Sequence, residues 1–90
     1  MRFSGVNVQV VDGTGDTTGP VNGLGNLIVG YNFNSGDTRT GSHNLVVGDA
    51  HSYSGIGGFV AGYDNTITNL SASVLGGSGN IARGGSSSSA

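Results

Sequence analysis

The 90-residue chain has no Lys, Glu, Cys or Trp and a single Pro. Each absence excludes something. Without Cys there is no disulfide framework and no thiolate metal site, and the redox compartment is left unmarked. Without Lys there is no P-loop, because that loop needs a lysine after its phosphate-cradling glycines. Lacking Lys and Glu removes two good helix formers, and 19 glycines penalise helix further, so the sequence predicts almost no helix. Arg2, Arg39 and Arg83 are the only Lys/Arg cations and the net charge is -2. A nucleic-acid binder needs a basic stripe that these three cannot build. No apolar run approaches the roughly 20 residues that span a bilayer. The first residues run into a strand pattern without an apolar signal segment, so export would be directed by a parent protein, or the chain is a piece of one.

Charged residues are 9% of the chain, against roughly a quarter in an ordinary globular domain, so Ser, Thr, Asn and Gly must cover the surface. Gly and Ser in such amounts suggest disorder. The 34% of apolar residues argue against it, because they recur with a period. The length allows one domain at most, close to the size at which a lone core becomes marginal.

Residues Val6 to Val11 alternate Val with Asn and Gln, a strand pattern, and Asp12-Gly13-Thr14-Gly15 follows as a turn. Residues 1–22 are thus expected to be an N-terminal strand and loop that caps the rest. Residues 83–90, with Gly-Gly and four serines, are expected to be a flexible tail. The repeat domain lies between, over residues 23–82.

Its unit is three apolar residues and a glycine: Leu27-Ile28-Val29-Gly30, Leu45-Val46-Val47-Gly48, Phe59-Val60-Ala61-Gly62 and Val74-Leu75-Gly76-Gly77. The fourth copy aligns on Gly76 or Gly77. Gly77 keeps an apolar residue at the first position and stacks Asn80 on Asn65, whereas Gly76 puts Ser73 there. The Gly77 register gives spacings of 18, 14 and 15 residues, the first lengthened by a loop over Phe33 to Thr40. A coil of about 14 residues holds two short strands and two tight turns. The pattern therefore predicts an all-β solenoid of about four coils. Glycine after each triplet permits a positive φ at the corner. His51, Asn65 and Asn80, three residues further on, are expected to take left-handed backbone there.

Three consecutive apolar residues in a strand mean that both faces are covered, since neighbours point to opposite sides. The reading places Leu27, Val29, Leu45, Val47, Phe59, Ala61 and Val74 in the roll core, with Ile67. Ile28, Val46, Val60 and Leu75 then point outward as an apolar stripe, best explained by burial against another copy.

The stretches Gly25-Asn26-Leu27-Ile28-Val29-Gly30 and Ser42-His43-Asn44-Leu45-Val46-Val47-Gly48 resemble the Asn-Ser-Val-Ala-Ile-Gly coil motif of YadA-like trimeric autotransporter adhesin heads. Ala72-Ser73-Val74-Leu75-Gly76-Gly77-Ser78-Gly79-Asn80 resembles the Ser-Val-Ser-Gly-Gly repeats of bacterial proteins with head-like arrays. The likeness covers about residues 23 to 82. It implies a left-handed parallel β-roll, a homotrimer round a common axis, a cell-surface or extracellular location, and contact with a host or matrix surface. End-to-end stacking into a fibre is compatible with it. The departures are an irregular first coil and the lack of stalk and membrane-anchor sequence within these residues.

Other chemistry has weaker signals. His43 and His51, with Asp49 between, could ligate a metal or act as a base, but both read as corner residues where other coils hold Gly or Asn. Catalysis needs a nucleophile, base and orienter in a cleft, and a narrow roll offers none, so no enzyme and no cofactor are expected. Asp12-Gly13-Thr14-Gly15-Asp16 has a calcium-loop look without the bidentate Glu. Tyr31 and Tyr63 follow corner glycines and need no special role. Thr38-Arg39-Thr40 invites an ice-binding reading, set aside because no Thr ladder recurs from coil to coil. Three functions compete: a structural or adhesive head module, a phage or injection-machine fibre segment, and a monomeric ligand- or ice-binding solenoid.

Overall fold

A computed structural model describes residues 1–83 and the backbone of Ser88–Ser89. Each apolar triplet forms a strand: β1 (Leu27–Val29), β2 (Leu45–Asp49) and β4 (Phe59–Tyr63), followed by β6 (Ser73–Val74). Short strands β3 (Ser52–Tyr53), β5 (Thr66–Ile67) and β7 (Ile81–Ala82) lie between them, and β8 is Ser88–Ser89. All named pairings are parallel. One sheet runs β1-β2-β4-β6-β8 and the other β3-β5-β7. The chain is a parallel β-solenoid of about four turns, with no helix among the described residues.

The register shows why two alignments of the fourth copy compete. Phe59 pairs with Ser73 and Val60 with Val74, which is the Gly76 alignment. Tyr63 then bridges to Ser78, and Thr66 pairs with Ile81. Two residues of β4 therefore face three, Leu75 to Gly77, across a bulge. The Gly77 alignment fails in the strand and holds after the bulge, where the Asn80 backbone N–H donates to Asn65 Oδ1 at 2.8 Å.

In the second and third coils the two faces of the triplets are the reverse of the expectation, while Val74 and Ile67 lie in the core as expected. Val46, Val60 and Val74 are each 0% exposed and pack with Tyr53, Ile67, Ala72 and Ala82 of the buried core cluster. Leu27, Val29, Leu45, Val47, Phe59 and Ala61 alternate with the middle column and lie on the outer face; Leu27 is 51% exposed and Val29 54%. The reason shows in the second coil, at the residue before its triplet. Asn44 is buried, and its side chain donates to the Gly55 carbonyl while accepting from the Gly58 N–H. That residue faces inward, so Val46, two positions on, does too. Val46 and Val60 are thus core residues and make no subunit contact. Leu75 falls in the bulge and is exposed, and Ile28, in the same column as Val46, is exposed in the first coil.

The corner after the first sheet also differs. Ala50 and Asp64 adopt positive φ, 61° and 56°, as does Gly79. His51 and Asn65, which follow the first two, are instead 0% exposed and turned into the solenoid. Before the strands, His43 has φ 60° in the column of Gly25, Gly57 and Ser71, all of positive φ.

Val6–Val11 form no strand. Residues before β1 lie against the first coil through side-chain bonds: His43 Nε2 accepts from the Asp12 N–H at 3.2 Å, and Asn22 Nδ2 donates to the Asp12 carbonyl at 3.0 Å. Of the expected tail, Arg83 is exposed, Ser88–Ser89 pair with β6, and the rest lies outside the described residues.

Candidate functional surfaces

His43 and His51 are separated by the fold and put to different uses. His51 takes the place that Asn65 and Asn80 hold in later coils. Its Nδ1 accepts from the Asn65 backbone N–H at 3.1 Å, so Nε2 carries the proton and donates to the Val47 carbonyl at 2.8 Å. Asn65 and Asn80 reach back in the same way, to the carbonyls of Ala61 and Gly76. Both nitrogens of His51 are committed inside the wall. Asp49, between the two histidines, accepts from the Phe33 N–H at 2.8 Å.

His43 joins the N-terminal segment to the roll. Besides accepting from Asp12, it donates from Nδ1 to the Thr17 carbonyl at 3.1 Å. A cavity of about 240 Å³ opens beside it, lined by Gln9, Val11, Asp12, Gly15, Asp16 and Thr17. Asp12 is largely taken. Its Oδ1 accepts from the Thr14 N–H at 2.9 Å and the Thr14 hydroxyl at 2.8 Å. These bonds, the backbone one foremost, hold its carboxyl below the ordinary carboxylate pKa. Asp16 Oδ1 accepts from the Thr18 N–H in the same style. Among the described residues no three His, Cys, Asp or Glu side chains come together as a metal site.

Arg39 is the residue whose role the sequence hid. It opens the column continued inward by Tyr53, Ile67 and Ala82, and its guanidinium lies 5.9 Å from the Tyr53 ring centroid. Its Nε donates to the His51 carbonyl, and its terminal nitrogens donate to the Asn32 and Phe33 carbonyls. It closes the end of the core and pins the loop that Phe33 opens. Tyr31 at the loop's start and Tyr63 are both exposed.

Two outer faces remain. On the first sheet, Leu27, Leu45 and Phe59 form one apolar column and Val29, Val47 and Ala61 a second. Val8 and Val10 of the N-terminal segment line a groove with Leu27 and Leu45 at one margin. On the second sheet, Tyr53 and Ile67 point into the core, so their neighbours point out. Those neighbours are Ser52 and Ser54, then Thr66 and Thr68, and the coil before contributes Thr38 and Thr40 around Arg39. Ser52 pairs with Thr66, and the Thr38 carbonyl accepts from the Tyr53 N–H. Ser and Thr thus recur at a 14-residue step, 38 to 52 to 66 and 40 to 54 to 68, although neither column is threonine throughout, as expected.

Comparison with models of protein families, with curated proteins and with solved structures yields no match, so the likeness to YadA-like heads rests on the quoted motifs alone.

Proposed function

We propose that this chain is a non-enzymatic structural module that assembles with copies of itself through the outer face of the first sheet, as a homotrimer of the kind the YadA-like motifs imply. The observation that carries this reading is the pair of uncharged apolar columns, Leu27, Leu45, Phe59 and Val29, Val47, Ala61, on that face. Soluble monomers seldom leave so continuous an apolar surface uncovered. The lack of charge within the columns fits a symmetric assembly in particular. Round a symmetry axis each side chain meets the neighbourhood of its own copies, so a charge there would face a like charge. The resemblance adds the left-handed roll, the extracellular setting and the adhesive or fibre role.

The test is the absolute mass in solution by light scattering, for the natural chain and for Val47→Asp. The natural chain should have three times the chain mass, and Val47→Asp should fall to a smaller species. A natural chain that is monodisperse as a monomer would sink the reading.

A further inference from the structure

We infer that Val6–Val11 is a strap that closes on the open edge of β1 as an antiparallel strand, and that a second copy of the chain, seated on the outer face of the first sheet, closes it. The edge is the first observation. β1 pairs with β2 on one side, and among the described residues no strand pairs with its other side. The Leu27 N–H donates to the Asn44 carbonyl of the next coil, so the alternation of a strand turns the Ile28 N–H and carbonyl to the open side. Ile28 shares its column with Val46 and Val60, yet it is 41% exposed where they are wholly buried. Arg39 closes the end of the core over Tyr53, and the end over Ile28 stays open.

The strap is already in place at one end. Val6–Val11 alternates like a strand, is exposed, and pairs with no strand among the described residues. The peptide bond between Val11 and Asp12 lies over Gly25: a Cβ on Gly25 would sit 2.7 Å from the Asp12 N and 2.8 Å from the Val11 carbonyl carbon. That end is held, because the Asp12 N–H donates to His43 Nε2 and its carbonyl accepts from Asn22. Val10 and Val8 come earlier in the chain and line the groove that Leu27 and Leu45 border, so the segment runs antiparallel to β1.

A peptide bond over Gly25 leaves two registers open, one residue apart, and they turn opposite faces of the segment outward. Val8 and Val10 lie on the side of Leu27 and Leu45, which selects the register that sets Val10 against Leu27, Gln9 against Ile28 and Val8 against Val29. Gln9 and Ile28 then exchange backbone hydrogen bonds in both directions, and the Gln9 side chain covers the open end of the core. Val10 prolongs the column of Leu27, Leu45 and Phe59, and Val8 the column of Val29, Val47 and Ala61. That consequence supplies the trigger. In a lone chain, closing exchanges water for backbone partners, which contributes little, and leaves Val8 and Val10 exposed. Once a second copy covers the two columns, the same movement buries both side chains. The trigger rests on the subunit contact proposed above.

The experiment measures amide hydrogen exchange at Ile28 in the natural chain and in Val47→Asp, with the mass of each sample from light scattering. In parallel, Val8→Cys/Val29→Cys is oxidised mildly beside Asn7→Cys/Val29→Cys, in a chain that has no other cysteine. Val8 and Val29 would face each other as a pair without hydrogen bonds, with Cα atoms about 4.5 Å apart and within reach of a disulfide, whereas Asn7 would point to the other face. Ile28 should exchange about tenfold more slowly in the natural chain than in Val47→Asp. The Val8/Val29 pair should cross-link within one chain and the Asn7/Val29 pair should not. Fast exchange at Ile28 in an assembled natural chain overturns the strap and leaves the subunit contact standing. Equal cross-linking of the two pairs overturns the register and the strap with it. A natural chain that runs as a monomer with Ile28 protected removes the subunit contact and keeps the strap.

Discussion

Asn65 stands on His51 one coil apart, its backbone N–H donating to His51 Nδ1 at 3.1 Å while both side chains reach back to a carbonyl four residues earlier in their own coils. The histidine does the work of an asparagine. Replacing it with Leu would leave the Asn65 N–H unpaired in a fully buried place. Each such group costs about 1–3 kcal/mol, so His51→Leu should lower the melting temperature clearly, while His51→Asn, which restores donor and acceptor, should lose much less. Thermal unfolding followed by circular dichroism decides it. A Leu variant as stable as the natural chain would show that the ladder contributes nothing.

The corner glycines are not equivalent, and that gives a second expectation. Gly48 has φ 104°, and a Cβ there would collide with the carbonyl oxygen of Gly62 in the next coil. Gly30 has φ 117°, but its nearest neighbour, the Gly48 N, would be 3.6 Å from an added Cβ. Both substitutions to Ala carry backbone strain, and only the first also forces coils apart. Gly48→Ala should abolish or severely weaken the fold, while Gly30→Ala should leave a folded protein with a lower melting temperature. Equal melting temperatures for the two would contradict the coil stacking at Gly48.

Much of this architecture was legible in the sequence, for reasons that particular residues show. Leu45-Val46-Val47-Gly48 and Phe59-Val60-Ala61-Gly62 are strand-sized, 14 residues apart, and pair in that register. The stacking of Asn80 on Asn65 was legible because an amide that repeats at the coil period can bond to its successor. The facing of the strands was not. An apolar triplet can be placed with its centre in or out, and hydrophobicity alone does not choose. The choice lies in polar Asn44, which is buried because the next coil supplies the Gly55 carbonyl and the Gly58 N–H. The bulge at Leu75 was hidden for a related reason: Gly76 and Gly77 each satisfy one half of the coil. Val6–Val11 alternate like a strand but find no ladder partner, a matter of tertiary placement that a local pattern does not carry.

Acid stability offers a third test, at Asp12. Its folded pKa is depressed, chiefly by the bond from the Thr14 N–H. The unfolded chain therefore takes up a proton first as pH falls, near the ordinary value of about 3.9 for Asp. The contribution of Asp12 is fully present above that value and is lost as pH drops through the folded pKa. Asp12→Asn keeps a side-chain acceptor but cannot titrate. The natural chain should thus lose stability more steeply than Asp12→Asn below about pH 4, with the two parallel above it. Urea unfolding across that range measures the difference, in which the four other aspartates cancel. Parallel loss of stability at all pH values would remove Asp12 from the acid response.

The sharpest test uses neighbours in one strand. Val46 is wholly buried in the core and Val47 lies on the outer face of the first sheet. An unpaired carboxylate at 46 would sit between the two sheets, in contact with the side chains that hold them together, a burial far too costly for so thin a core. Val46→Asp should therefore lose its β-sheet spectrum or be recovered only as aggregate. A carboxylate at 47 leaves the interior untouched, because the side chain already points away from it. Its cost falls on the proposed contact between copies, where like charges would meet out of water. Val47→Asp should retain a β-sheet spectrum at low temperature and lose mass by light scattering, with a melting temperature that now reflects the chain alone. Two results carry different lessons. If Val47→Asp keeps both the mass and the melting temperature of the natural chain, the outer face is not a subunit contact and the assembly proposal falls. If Val46→Asp folds normally while Val47→Asp does not, the facing of β2 described here is wrong, and with it the assignment of Val60 and Val74 to the core.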